Sequence, residues 1–182
     1  MPLNSIDREF SIGHNYGYYF IKNQTSMKSS HPIFSGIIGT SMMTLFSYYV
    51  SRSRNKNFKE PKLLAKIVNS IIKQEQVARA SGWAMHYAMG ILLAAAFNAY
   101  WRKAHIKPGL GQMLIAGISS GAFGVGMWKL IFTIHPKPPK TPYGHYYRHL
   151  MLAHLAFSAG LVLTSSLRHA LTETRHSPFT VC

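Results

Sequence analysis

Four apolar stretches, at residues 32–50, 82–101, 110–134 and 150–167, dominate this chain of 182 residues. Each is long enough to cross a bilayer, and inside hydrocarbon a chain must satisfy its own backbone hydrogen bonds, so the stretches are read as transmembrane helices. A soluble four-helix bundle would need a polar outer face on every helix, and none of these stretches has one. The reading is therefore an all-α polytopic membrane protein with one four-span domain over 32–168. A polar segment, 1–31, precedes it, and a polar tail, 169–182, follows. In the second stretch Trp83 and Trp101 stand 18 residues apart. At 1.5 Å per residue that is roughly 27 Å, close to a hydrocarbon core, so both are expected at membrane interfaces.

Charge is as uneven as hydropathy. Twenty Lys and Arg face only five Asp and Glu, giving a net charge of +15. No Asp or Glu occurs between Gln76 and Thr172. Such a balance can mark a nucleic-acid binder, but no RNP, zinc-finger or helix-turn-helix pattern is present, so no nucleic-acid partner is expected. In a membrane protein, basic residues gather in cytoplasmic loops and face anionic lipid, which makes membrane lipids the expected partners. Eleven of the twenty cations lie in the connectors 51–81 and 135–148. The positive-inside rule then places both connectors in the cytoplasm and both termini on the other side. The first residues lack a signal-peptide pattern, and the single cysteine, Cys182, gives neither an intrachain disulfide nor a prenylation box.

Between the first two spans, Leu63, Leu64, Ile67, Val68, Ile71 and Ile72 recur at helical spacing, opposite Lys62, Lys66, Asn69 and Lys73. Pro61 suits a first turn and Ser81-Gly82 a break, so an amphipathic helix over about 61–80 is expected to lie on the membrane surface. The alternative is a helix packed on its own loops.

The chemistry-bearing residues converge through topology. His86 lies about one turn inside the second span and His154 about one turn inside the fourth, at matching depths. His135, His145, His149, Lys129 and Arg148 fall at the same membrane face. Ionisable groups near that depth need partners, water or the bundle interior, and are candidate functional residues. Each has a plainer reading as well: a histidine satisfied by a carbonyl, or a lysine reaching to the headgroups. With no carboxylate in the spans, a conventional cation channel or antiporter is disfavoured. The candidate site of His86, Lys129, His135, Arg148, His149 and His154 instead favours an anion, such as a lipid headgroup or a carboxylate or phosphate metabolite. Two cofactor readings stay open. His86 and His154 are candidates to ligate a haem between helices, and His135, His145 and His149 are candidates for zinc.

In the third span, Gly117, Gly121 and Gly124 form a small-residue face that allows close helix approach, either within the chain or in a homo-oligomer. That face makes the third span the expected centre of the bundle. A faint repeat relates Ser35-Gly36 to Ala116-Gly117 and His86 to His154, implying two hairpins about an axis along the membrane normal. The proline-rich connector His135–Pro142 is stiff, and serves either as a lid over the pocket or as a plain spacer.

From residue 82 onward, Trp83, His86, Lys107-Pro108, Gly111-Gln112, Ala116-Gly117, Phe132, His135-Pro136, Pro138-Pro139 and Ala153-His154-Leu155 follow in an order that resembles the YagU-type family of small bacterial inner-membrane proteins. The resemblance implies about four spans and a bacterial inner membrane, and carries no reaction or catalytic residue with it. The functional expectation is a non-enzymatic membrane protein whose basic, His-rich pocket binds an anionic ligand or lipid headgroup, in transport or envelope stress tolerance. The alternatives are a haem or metal redox protein and a structural, partner-binding subunit.

Overall fold

Five helices make up the computed structural model, which describes residues 31–54, 58–136, 138–139 and 142–175, with side chains from Pro32 to Leu167. They are α1 (His31–Ser53), α2 (Glu60–Ile72), α3 (Glu75–Lys103), α4 (Leu110–Ile134) and α5 (Tyr143–Arg175), and the described residues contain no strand. Four of them, α1, α3, α4 and α5, are long and apolar enough to cross a membrane. The chain is a helical membrane protein. Most of the segment 1–31, the end of the tail and Cys182 lie outside the described residues. Within the expected tail, α5 remains helical as far as Arg175.

The amphipathic helix forms, but ends earlier than its pattern suggests. Lys73 takes a left-handed conformation (φ 56°) and its N–H closes onto Asn69 O, which caps α2. The chain then turns at once into α3, so Ser81 and Gly82 lie inside a helix. Gly82 is there for close approach: a Cβ on it would stand 2.5 Å from Pro61 O. Leaving α1, the chain doubles back so that Phe58, Glu60, Pro61 and Leu63 are buried, while Lys62 and Lys66 stay exposed. Phe58 N–H donates to Ser51 Oγ at 3.1 Å, pinning this return. The first turn of α2 is thus inserted among the spans, and the rest of it runs back along the start of α3.

Packing is serial rather than ring-like: α4 lies on α5, α5 on α1, α1 on α3, and α3 on α2. The third span, α4, is therefore an edge helix, and α1 and α5 form the centre. Its Gly117 and Gly121 receive α5 at Leu155, Ser158 and Met151, so the small-residue face is an intrachain contact. The centre is equally tight, with a Cβ on Gly160 falling 2.8 Å from Gly39 Cα. A two-fold repeat of hairpins would match the α1–α5 contact with one between α3 and α4, and no comparable contact exists there. Trp101 also differs from expectation. It is buried beside Phe97 instead of facing an interface, whereas Trp83 is substantially exposed.

Candidate functional site

Where α3 and α4 fail to close on each other, a cavity of about 140 Å³ remains. Thr40 and Met43 of α1 and Leu150, His154 and Phe157 of α5 line it from the centre of the bundle. Met85 and Met89 on α3 and Phe123 on α4 line it as well and are partly exposed, so the gap between these two helices faces the lipid. Glu60 and Leu64 from the inserted turn of α2 close one end. The walls are chiefly apolar, and the polar residues among them are Thr40, Glu60, His86 and His154.

Two histidines reach this cavity as their depth implies. His86 and His154 are 7% and 6% exposed and line the same space. His154 Nδ1 donates to Leu150 O at 2.8 Å, which leaves Nε2 as an acceptor, without a hydrogen bond to any described residue. Gly124 makes room for this ring, since a Cβ there would lie 2.7 Å from His154 Cε1. His86 is held from α1. Thr44 Oγ1 spends its proton on Thr40 O at 2.7 Å, so His86 Nε2 donates to Thr44 Oγ1 at 2.9 Å.

The sequence reading missed the acid. Glu60 is 2% exposed and brings a carboxyl to the end of a site expected to hold none. Ser47 Oγ donates to Glu60 Oε1 at 2.9 Å. With its single proton so used, Ser47 accepts from His149 Nε2 at 3.0 Å. His149 is sandwiched between the rings of Phe46 and Phe58. Burial pushes the Glu60 carboxyl up to about 8, against the lowering effect of a backbone hydrogen bond and of Ser47. At neutral pH it is mainly a neutral acid. Its second oxygen, Oε2, is buried without a partner, as is Thr40 Oγ1. Both residues line the cavity.

The other expected ligands are elsewhere. Lys129 and Arg148 are exposed and do not line the cavity, so the basic pocket is not assembled. Each is one residue from an inward-facing neighbour, Trp128 or His149, and a helix turns about 100° per residue. His135 is bonded to Ser70 Oγ at 2.8 Å, joining the end of α4 to α2, and His145 is exposed. With His149 buried against Ser47, the three do not gather, and among the described residues no group of three His, Cys, Asp or Glu could hold a metal ion. Haem does not fit either. The cavity, at about 140 Å³, has room for about one small ring and not for a macrocycle built of four, and His86 Nε2 is occupied by Thr44. In the proline connector, Pro136, Pro138 and Pro139 do not line the cavity, and Lys137, Lys140 and Thr141 lie outside the described residues.

The signal that could have found Glu60 was weak but present: an acid placed directly before a proline that opens an amphipathic helix, in a chain with so few acids. No family model, curated protein or solved structure matches this chain.

Proposed function

We propose that this is a membrane-embedded binding protein that takes the head of a single-chain amphiphile laterally from the bilayer, through the gap between α3 and α4. The observation that supports this most is a chiefly apolar cavity whose lips face lipid and whose walls include Glu60 and Thr40, each carrying a buried oxygen without a partner. Buried polar groups are rarely left unsatisfied, and a ligand with its own polar head would complete them. The four methionines on the walls, Met43, Met85, Met89 and Met127, suit a pocket that adapts to apolar shapes. The expected anion fits this site less well than a neutral head, because the cations that would hold a charge point outward. Lys129 and Arg148 instead suit contact with anionic lipid around the protein.

By the positive-inside rule the Glu60 end faces the cytoplasm, and the YagU-type resemblance would make the membrane a bacterial inner membrane. Native mass spectrometry of the purified protein tests the reading. The wild type should carry a bound amphiphile, and the cavity-filling Met127→Trp should lose it while keeping its helical circular dichroism. Equal occupancy in both would contradict the proposal.

A further inference from the structure

The cavity's size and its polar groups together restrict what the head can be, and this step rests on the reading of the cavity as an amphiphile site. At about 140 Å³ the space matches a single six-membered ring, since a dry cavity of about 150 Å³ accommodates benzene. The walls suit a ring as well, for Phe123, Trp128 and Phe157 offer aromatic contacts and the methionine sulfurs favour ring edges.

Hydrogen-bond directions are fixed by partners inside the protein. Leu150 O holds the His154 proton on Nδ1, so Nε2 can only accept. Ser47 donates to Glu60 Oε1, so the acid's own proton resides on the unpartnered Oε2, a donor. The two sit at different levels. Glu60 is tied through Ser47 to His149, and His154 lies five residues further along α5, about 7.5 Å at 1.5 Å per residue. A ring hydroxyl can give its proton to the imidazole, and an oxygen elsewhere on the head can accept one from the carboxyl.

We infer that the ligand's head is a hydroxylated six-membered ring carrying an apolar tail, a quinol or alkylphenol, with its hydroxyl donating to His154 Nε2. A plain fatty alcohol supplies the hydroxyl but not the ring. An aryl ether supplies the ring but no donor. An anionic head would meet no cation in the cavity.

The test compares three probes on the full-length protein in lipid nanodiscs, with empty nanodiscs as background: tritiated 4-pentylphenol, 4-pentylanisole and 1-undecanol. The expected result is saturable binding of the phenol at least tenfold tighter than either of the others, with His154→Phe removing that preference. If all three bind with similar affinity, the ring-hydroxyl assignment fails while the amphiphile site stands. If none binds above background, the amphiphile reading fails as well. The wild-type comparison needs no variant, so poor folding of His154→Phe would not rescue the inference.

Discussion

Glu60 Oε1 and His149 Nε2 lie 3.7 Å apart, and Ser47 bonds to both, so a residue from the connector between spans is locked to the fourth span through the first. This link fixes the inserted turn of α2 at the end of the cavity. It also holds a carboxyl where water is scarce.

Stability should depend on pH through Glu60. Its folded value, about 8, lies above the ordinary 4.5, so the folded state binds the proton more tightly than the unfolded state. The contribution is fully present below about 4.5 and is lost as pH rises through about 8. Thermal unfolding in detergent between pH 5 and 9 should show the midpoint falling with pH. Glu60→Gln, which imitates the neutral acid, should flatten the curve in that window. Parallel curves for wild type and variant would count against a neutral Glu60.

Ser47→Ala removes the hydroxyl that serves both partners. His149 Nε2 and Glu60 Oε1 would be left buried without a mate, at a cost of about 1–3 kcal/mol. The unfolding midpoint should drop accordingly, and Ser47→Thr, which retains the hydroxyl, should recover part of the loss. No difference between Ser47→Ala and wild type would show that the three residues are not linked.

Depth along the membrane was legible in the sequence, whereas direction around each helix was not. The spans, and the shared level of His86 and His154, follow from counting residues inward from the ends of apolar stretches. Direction leaves no such mark, because a lipid-facing side and a core-facing side are both apolar. Lys129 and Arg148 were thus grouped with the site when only their neighbours Trp128 and His149 turn inward. The edge position of α4 was hidden for a related reason. Small residues announce one close contact, and Gly117 and Gly121 make theirs with α5 alone. Glu60 was missed because its connector reads as a charged surface helix, and the return of the chain at Phe58 is set by a hydrogen bond to Ser51 and by ring contacts with the distant Tyr146 and His149.

Two glycines should respond in opposite ways to a methyl group. In Gly82→Ala the new Cβ meets Pro61 O at 2.5 Å and the Ala65 backbone N at 2.8 Å, so α2 and α3 must separate, costing about 1–3 kcal/mol. Gly126 has nothing within 4 Å, and its replacement by Ala should leave stability equal or raise it by about 0.5–1 kcal/mol. Thermal midpoints of the two variants, measured side by side, check the hairpin packing.

Because Lys129 and Arg148 point away from the cavity, Lys129→Ala with Arg148→Ala should leave 4-pentylphenol binding within about twofold of wild type, a change below about 0.5 kcal/mol. Retention of anionic lipid during purification should fall instead. A loss of phenol binding in the double variant, without loss of fold, would return the cations to the site.

The most direct measurement is the protonation of Glu60 itself, read by infrared difference spectroscopy of the carboxyl C=O stretch during a pH titration of the protein in nanodiscs, with Glu60→Gln as the reference. A protonated-carboxyl band that is absent from the variant, persists at pH 7 and disappears with a midpoint near 8 is the expected result. A carboxyl that is already ionised at pH 6 would mean that Glu60 stands in water, and the buried donor at the end of the cavity would not exist.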